Sequence, residues 1–394
     1  MNRREFIRRT AIISAGIPLL SSMLLSCEDE IATSFDVNFS GKVIVIGAGS
    51  AGLIAGHILK KHNIDFEILE ASSVFGGRVK KVADFADFPI DLGAEWIHTK
   101  PSILAKLLND PNEQAAIDFI VYNPKEIYNW NKGKLKKRNI ISNFYSEHKF
   151  KSTTWYDYFD QYIVPNFSDR IRYNQIVNDI NYAGDKVVVS TQNDSFEADK
   201  IVLTVPLTIL QQHVINFTPD FPTDKQEAIN ETEMPDGIKV FIEFSEKFYP
   251  DIVLTGSFGE AISSQGEEKT FYDAAFGKDT NSNVFALFTV GEQATPYASL
   301  ATDQEVVDKV LSELDEMFDG KASATYIKHI VQNWTKEPHI RGSYSFTGDD
   351  IETLARPIDN KIYFAGEAYS ELAHATVHGA GASAYVALEQ LLKN

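Results

Sequence analysis

A glycine-rich run, Gly47-Ala48-Gly49-Ser50-Ala51-Gly52, has the composition and spacing to hold a phosphate group. The first glycine permits a tight turn, the second lets the backbone approach a pyrophosphate, and the third allows a helix to pack closely on a strand. Because backbone N–H groups at the start of a helix are partly positive, a helix beginning here would attract the pyrophosphate. We expect this turn to form one half of a dinucleotide site.

Two groups downstream of this turn suit the rest of a dinucleotide. Glu70 lies 21 residues beyond Gly49, where an acidic side chain accepts hydrogen bonds from ribose hydroxyls. A second glycine turn, Gly76-Gly77-Arg78, carries an arginine that is placed to neutralise phosphate.

The elements that must position these groups are encoded in the same stretch. Lys42 to Ile46 is a continuous β-branched run, typical of a strand buried on both faces. The apolar pattern from Leu53 to Leu59 predicts a helix that ends near Asn63, a residue that tolerates a left-handed cap. Phe66 to Leu69 predicts a second strand. This order of strand, turn, helix, strand and acid indicates a Rossmann-like α/β unit.

Further segments follow in a fixed order: Asp91 to His98, Asp199 to Pro206, Trp334 to Ser345, Ile362 to Glu367 and Ala375 to Ala380. With the glycine turns, they make the chain resemble the flavin-containing amine oxidase family, which includes monoamine oxidases, polyamine oxidases and lysine-specific histone demethylases. The resemblance covers most of residues 41–394. It implies an α/β fold in which a discontinuous, Rossmann-like FAD-binding domain accompanies an α+β substrate-binding domain.

The resemblance also implies which residues contact the cofactor, FAD. We expect Val177 to lie at its adenine end and Glu367 to orient its ribityl or phosphate groups. The full set of cofactor residues is Gly47, Gly49, Ser50, Ala51, Gly52, Glu70, Ala71, Gly77, Arg78, Gly93, Ala94, Glu95, Trp96, Val177, Trp334, Gly366, Glu367, Thr376, Val377 and Ala380. No metal site is expected, because the chain has no H-E-x-x-H pattern.

Two catalytic positions follow from the resemblance. Lys239 matches the lysine that reaches the flavin N5 through a water in family members. Tyr344 matches one wall of the aromatic pocket that holds the amine in monoamine oxidases. The opposite wall would be Thr376, so we expect a roomier site, closer to polyamine oxidases and histone demethylases. No cysteinyl flavin link is possible near this helix, because Cys27 is the chain's one cysteine.

Glu95 and His98 lie where polyamine oxidases often carry an acid or a histidine facing a cationic substrate. His98 titrates in the useful range. Glu95 has a second interpretation, a hydrogen bond within the FAD domain. His374 and His378 are expected to pack rather than to react. Arg341 is ranked low as an anchor for a substrate carboxylate, because in an extended segment it would face away from Tyr344.

The predicted domain boundaries place residues 41–98, 168–235 and 325–394 in the FAD-binding domain. Residues 99–167 and 236–324 form the substrate-binding domain, with strands from Ile238 to Phe244 and Asn283 to Val290 and a helix from Asp303 to Phe318.

The first 40 residues are expected to direct export. Adjacent arginines, a short apolar stretch and small residues before Cys27 resemble a twin-arginine signal that ends in a lipoprotein cleavage box. On this interpretation residues 1–26 are removed, Cys27 carries a lipid and residues 27–40 are a tether. The protein would be anchored in a bacterial cell envelope, on the periplasmic side or at the cell surface.

The charge balance limits the partners. The chain has 37 Lys and Arg against 55 Asp and Glu, a formal charge of −18, which argues against nucleic acid. We expect an FAD-dependent amine oxidase that converts a polyamine-like or other primary or secondary amine to an imine, with oxygen or another acceptor reoxidising the flavin. The alternatives are an amino-acid oxidase, a protoporphyrinogen oxidase or desaturase-like enzyme, or a non-catalytic FAD-binding lipoprotein.

Overall fold

The structure is a computed structural model that describes residues 31, 36–110, 115–138, 147–256, 268–346, 350–371 and 373–394. The predicted export signal, the predicted lipidation site Cys27 and most of the predicted tether lie outside these residues. Within the described ranges, no helix is long and apolar enough to cross a membrane.

The chain alternates short strands and helices. The strands are β1 (Lys42–Ile46), β2 (Asp65–Leu69), β3 (Lys81–Val82), β4 (Ile90–Asp91), β5 (Trp96–Ile97), β6 (Phe119–Tyr122), β7 (Ile127–Asn131), β8 (Lys134–Lys137), β9 (Glu147–Phe150), β10 (Ile171–Arg172), β11 (Val177–Asn181), β12 (Val187–Thr191), β13 (Ser195–Ala198), β14 (Lys200–Leu203), β15 (Asn216–Thr218), β16 (Gly237–Phe244), β17 (Ile252–Thr255), β18 (Glu268–Asp273), β19 (Asn283–Val290), β20 (Tyr326–Asn333) and β21 (Ile362–Phe364). The α-helices are α1 (Ser50–Lys61), α2 (Ile103–Leu108), α3 (Trp155–Tyr158), α4 (Leu207–Gln211), α5 (Thr223–Glu231), α6 (Thr295–Ala298), α7 (Asp303–Phe318), α8 (Lys321–Thr325), α9 (Ile351–Ala355) and α10 (Val377–Lys393). Single-turn 3-10 helices cover Val164–Asn166, Ser168–Arg170, Gly291–Gln293, Trp334–Lys336 and Glu367–Tyr369, and a π-turn covers Phe159–Ile163.

A five-stranded parallel sheet in the order β10-β2-β1-β14-β21 forms the first layer. Its strands alternate between two apolar cores: Val43 and Val45 face α1 and α10, whereas Ile44 and Ile46 face the core beside β11 and α4. Both faces are therefore covered, as the continuous β-branched run predicts. The predicted α/β, Rossmann-like fold is confirmed.

A seven-stranded sheet in the order β20-β16-β19-β18-β17-β7-β8 forms the second large unit, and β17 and β7 are its parallel pair. Along β16, Ile238, Val240 and Ile242 pack on α7, while Phe241 lies in the core on the other face. Lys239 shares the face of Phe241, because alternate side chains point the same way along a strand.

Two predicted boundaries differ from the structure. Residues 325–394 were assigned to the FAD-binding domain, but β20 pairs with β16 in the seven-stranded sheet. Residues 99–167 were assigned to the substrate domain, but Leu104 and Trp155 are buried in the core of the parallel sheet. The first difference arises from long-range strand pairing and the second from long-range packing of apolar side chains, and the sequence pattern specifies neither.

Candidate active site

One cavity of about 620 Å³ runs between the carboxyl ends of the parallel strands and the face of the seven-stranded sheet that carries Lys239. Its lining includes Gly49 and Glu70 from the first unit and Lys239 and Tyr272 from the second. A cleft at the carboxyl ends of parallel strands is the usual ligand site of an open α/β sheet.

The glycine turn has the predicted geometry. Gly47 adopts a φ of 104°, which L side chains rarely adopt. A Cβ on Gly52 would lie 1.9 Å from the Gly47 carbonyl oxygen, so Gly52 allows α1 to approach β1. A Cβ on Gly49 would meet no atom within 4 Å, because this position faces the open cavity. Gly52 does not line the cavity and allows the close packing of α1, and its assignment as a cofactor contact stays a prediction.

Glu70 fixes the turn from the neighbouring strand. Its carboxylate accepts hydrogen bonds from the backbone N–H of Ala48 (2.6 Å) and of Ser72 (2.8 Å). It also borders the cavity, as do Ala71 and Val177. The acidic strand end thus shapes the backbone around the expected ribose position.

On another wall, Arg78, which is partly buried, pairs with the buried Glu367. Arg78 Nη1 donates to Glu367 Oε1 (3.0 Å) and to the Ser343 carbonyl (2.9 Å). Burial alone would raise the pKa of Glu367, but Arg78 and His374, with hydrogen bonds from Ser345, hold this pKa below its usual value. Glu367 therefore orients Arg78 along the cavity.

The N-terminus of α10 also opens on the cavity. Thr376 caps this helix, accepting from the Gly379 N–H at 3.0 Å. Thr376, Val377 and Ala380 all line the cavity. A second helix N-terminus therefore faces the space in which a phosphate or other electron-rich group would lie.

The remaining predicted cofactor residues also border the cavity: Gly47, Ser50, Ala51, Gly77, Gly93, Ala94, Glu95, Trp96, Trp334 and Gly366. Trp334 is held by a hydrogen bond from its Nε1 to the Leu92 carbonyl (3.1 Å). Two helix N-termini, an acid at the ribose position and an arginine on the wall suit a dinucleotide.

Lys239 is buried at the wall of the same cavity. Its Nζ donates to the carbonyls of Asp91 (3.2 Å) and Gly93 (3.0 Å) and to Glu95 Oε2 (2.8 Å). These three acceptors match the three protons of an ammonium group. Lys239 is thereby held beside the strands that border the expected flavin position.

Glu95 joins Lys239 to a second buried lysine. Lys149 Nζ lies 2.6 Å from Glu95 Oε1, and Tyr272 donates its hydroxyl to Glu95 Oε2 at 2.6 Å. Burial alone would raise the pKa of Glu95, but the Lys149 and Lys239 ammonium groups hold it at about 2. The partners of Glu95 lie on β9, β16 and β18, in segments assigned to the substrate-binding domain and not within the FAD domain, and Glu95 also lines the cavity, so its role facing a substrate stays a prediction.

His98 lines the cavity and pairs with Glu147, with 2.7 Å between Nδ1 and Oε1. Burial alone would lower the pKa of His98, but the Glu147 carboxylate raises it. His98 therefore carries positive charge to a higher pH than an ordinary histidine, and Glu147 supplies a matching anion.

The other predicted side chains divide between cavity and packing. Tyr344 and Thr376 line the cavity. His374 also borders it, but its ring bonds the Ser345 backbone (2.7 Å). His378 is buried in α10, and Arg341 bonds Gln212 (2.6 Å) outside the cavity lining.

A family model described as flavin containing amine oxidoreductase matches residues 50–155 and 156–391. The chain belongs to the flavin-containing amine oxidoreductase family. This confirms the resemblance and the predicted FAD cofactor, and the cavity fits such a group: the open space at Gly49 is a backbone cradle that a Cβ would fill.

Curated relatives of this flavoprotein include a polyamine oxidase and a histone demethylase. Polyamine oxidase 4 of Oryza sativa subsp. japonica is 32% identical over 229 residues, covering 57% of this chain and 45% of the relative. Lysine-specific histone demethylase 1B of Mus musculus is 24% identical over 425 aligned residues, covering 86% and 51%. The chain thus spans about half the length of these relatives.

Solved structures share the fold at low identity. Cyclohexylamine oxidase from Brevibacterium oxydans IH-35A superposes with a TM-score of 0.73 at 15% identity, covering 90% of this chain and 100% of that one. Wild-type putrescine oxidase bound to putrescine gives a TM-score of 0.72 at 14% identity, covering 88% and 98%.

Sequence reasoning missed two residues that line the cavity of this family member, Tyr272 and Glu147, and one that lies behind its wall, Lys149. Glu147 and Lys149 alternate with His148 along a short strand whose pattern resembles a surface strand. Tyr272 lies in an aromatic-rich strand, where a packing role is the ordinary expectation. Their roles follow from tertiary contacts: Lys149 of β9 and Tyr272 of β18 contact Glu95, and Glu147 of β9 contacts His98.

Proposed function

We propose that this chain is an FAD-dependent oxidase of primary or secondary amines, of a polyamine-like kind. The observation that carries the proposal is Lys239: an ammonium group buried in the wall of a cofactor-sized cavity and held by three acceptors. Bound FAD would supply the two-electron acceptor, taking a hydride at N5 from the carbon next to the amine nitrogen. The relatives named polyamine oxidase and putrescine oxidase support an amine as substrate.

The chain's own groups prepare the amine for this step. Lys239 would place its ammonium charge at the flavin edge, and the Glu95 carboxylate fixes the lysine's position. Tyr344 would pack on the amine, and Thr376 opposite it leaves room for a longer chain. Water then hydrolyses the imine product, and oxygen or another acceptor takes the electrons.

His98 and Glu147 extend this site along the cavity wall. Above the raised pKa of His98, the His98–Glu147 pair would carry a net negative charge beside the space that a second nitrogen of a polyamine would reach, and anions attract ammonium groups. This favours a polyamine-like substrate over a simple monoamine.

The location is a separate part of the proposal. Cys27 would carry the lipid of an exported envelope protein, delivered by a twin-arginine signal. Membrane fractionation of the wild type and of Cys27→Ser tests it: we expect the wild type in the membrane fraction and the variant released. Equal partition of both would rule out an anchor at Cys27.

The enzymatic proposal is tested by aerobic product analysis. The full chain, purified with its flavin, is incubated with polyamines, monoamines and amino acids, and aldehyde, ammonia and hydrogen peroxide are measured. Aldehyde from a polyamine supports the proposal. Keto acid from an amino acid would instead place the chain among amino-acid oxidases, and a flavin-bound protein with no product from any amine would make it a binding module.

A further inference from the structure

A second lysine, Lys149, lies behind the wall that carries Lys239. It is 1% exposed and belongs to β9, between β5 and β6. Its Nζ lies over the rings of Trp96 (5.4 Å), Tyr122 (5.1 Å) and Tyr272 (5.4 Å). Lys149 does not line the cavity itself, whereas these three aromatic residues do.

A charge in this position is costly for folding. Removing an ammonium group from water costs several kcal/mol, and a well-packed apolar side chain in its place is often neutral or stabilising. Cation–π contacts and the Glu95 ion pair offset part of this cost. A buried lysine next to the expected catalytic lysine therefore suggests an electrostatic role.

The charges of this cluster do not cancel. Glu95 supplies one negative charge, and Lys149 and Lys239 supply two positive charges. Burial and the Glu95 carboxylate raise the pKa of Asp91 well above its usual range, which favours its neutral form. Burial and then Lys149 lower the pKa of Lys278 to about 8, so it remains mainly cationic at pH 7. The wall thus carries surplus positive charge.

We propose that Lys149 is a positioning residue of the amine site: by sharing Glu95 with Lys239, it leaves surplus positive charge behind the substrate wall. This charge favours the neutral form of the bound amine. The proposal rests on the proposed function, because only a neutral amine nitrogen has the lone pair that supports loss of a hydride from the adjacent carbon.

The surplus positive charge of the buried cluster acts at short range, whereas the net negative charge of the whole chain acts at longer range. The formal charge of −18 attracts ammonium groups from solution. Salt screens that field over about 8 Å at physiological ionic strength, but screens buried charges much less. The acidic surface thus attracts a cationic amine, and the positive charge at the wall then lowers the pKa of the bound amine, so that it releases its proton more readily.

The groups that face Lys149 come from several elements. The cluster consists of Lys149, Glu95 and Lys239. Around it lie Asp91, Lys278, Tyr122 and Tyr272. The carboxylates of Glu147, Asp251 and Asp273 also act on Tyr122. Burial and Glu95 raise the pKa values of Tyr122 and Tyr272 well above their usual range, so both stay neutral.

The test removes this charge in two ways. Lys149→Met removes the charge and keeps the volume, and Lys149→Gln removes the charge but retains a donor for Glu95. We expect either variant to raise the pH midpoint of anaerobic flavin reduction by an amine by about one pH unit, because the ammonium form is no longer repelled. A double variant, Lys149→Met with Glu95→Gln, restores the surplus and should return the midpoint to the wild-type value.

A second readout needs no turnover. Choline is a permanent cation, and 3,3-dimethyl-1-butanol is its neutral isostere; binding of each is followed by the change in the visible spectrum of the bound flavin. We expect the Kd of choline to fall about tenfold in Lys149→Met, with the Kd of the alcohol unchanged.

Lys200→Met is the matched control. Lys200 is also a buried lysine, over the rings of Phe39 (4.8 Å) and Tyr363 (5.4 Å) and bonded to the Leu391 carbonyl (3.1 Å), but it does not line the cavity. Its loss should change stability without changing choline affinity or the pH midpoint.

Three results would overturn the proposal: unchanged choline affinity and midpoint in both Lys149 variants, an equal shift in Lys200→Met, or a double variant that keeps the shifted midpoint. If Lys149→Met does not fold, Lys149→Gln carries the test. A flavin that no amine reduces contradicts the proposed function instead, while the choline comparison still reports the charge.

Discussion

At the residue scale, the central feature is an ammonium group held by fixed acceptors at a cavity wall. Lys239 has no freedom to reorient, because two backbone carbonyls and a carboxylate occupy its donors. The Asp91 and Gly93 carbonyls belong to the segment that also carries Glu95. One short stretch of chain therefore sets both the position of Lys239 and the charge beside it.

Lys239→Met tests this role. We expect the variant to keep its flavin and yellow colour, because Met fills a similar volume, while the rate of anaerobic reduction falls by about 10²-fold or more. Stopped-flow absorbance measures the rate. Lys328→Met, which removes a half-exposed lysine paired with Glu243 on the adjacent strand, should reduce at the wild-type rate. Wild-type reduction by Lys239→Met would remove this residue from the mechanism.

Substitutions at Gly49 and Gly52, two glycines of the nucleotide turn, distinguish an effect on FAD binding from an effect on folding. Gly49→Ala adds a methyl group to open space, so we expect wild-type melting of the flavin-free protein but much weaker FAD binding. Gly52→Ala forces a contact with the Gly47 carbonyl and should destabilise the fold itself, as overpacking does, by about 1–3 kcal/mol. Thermal melting and flavin titration distinguish them. Equal FAD affinity in Gly49→Ala and wild type would contradict the cradle.

The roles of residues that belong to a recognisable sequence motif could be predicted, whereas the roles of residues outside such motifs could not. Glu70 and Lys239 sit at fixed distances from recognisable segments. Lys149 and Glu147 lie on a four-residue strand, and only the pairing of β9 with β5 brings them to Glu95 and His98.

At the element scale, the start of α10 serves both the fold and the site. Thr376→Ala removes its cap and should cost about 1 kcal/mol of unfolding free energy. Thr302→Ala removes the cap of α7, which has a capping box away from the cavity, at a similar cost. We expect only Thr376→Ala to weaken FAD binding as well, as measured by flavin titration. Equal FAD affinity in the two variants would show that this helix end does not contact the cofactor.

The same helix gives the fold a pH dependence. Burial, and then His98, lower the pKa of His378 from 6.5 to about 3. Because the unfolded state takes up a proton below pH 6.5 and the folded state does not, stability is lost as the pH falls from 6.5 towards 3. At pH 4.5 the loss from this group is about 2–3 kcal/mol.

Urea unfolding at pH 7 and pH 4.5 measures that loss. His378→Phe, which cannot take up a proton, should show a smaller decrease between the two pH values than the wild type. The same decrease in both proteins would mean that His378 is not buried in its neutral form.

Elements with strong periodicity were predicted well. The structure has the strands Lys42–Ile46 and Asn283–Val290 and the helix Asp303–Phe318 with the predicted bounds. Strand pairing was not predictable: β20 joins β16 through residues about 90 positions apart, and no local pattern records such a contact. This is why the boundary at residue 325 was misplaced.

At the scale of the whole molecule, one cavity connects two differently built units. The parallel sheet and its helices present backbone N–H groups that suit phosphate, and the seven-stranded sheet presents a lysine, aromatic rings and paired charges. The acidic surface attracts cations, and the buried cluster beside the cavity has the opposite sign. Amine oxidation needs both, because the amine arrives as a cation and reacts as a neutral base.

The most direct test of the whole account is an anaerobic titration of the oxidised, flavin-bound chain with a polyamine such as spermidine, followed by visible absorption. The account predicts complete loss of the oxidised flavin band with one amine oxidised per flavin, and return of the band when oxygen is admitted. A protein that purifies without flavin, or whose flavin band is unchanged by any amine, would contradict it.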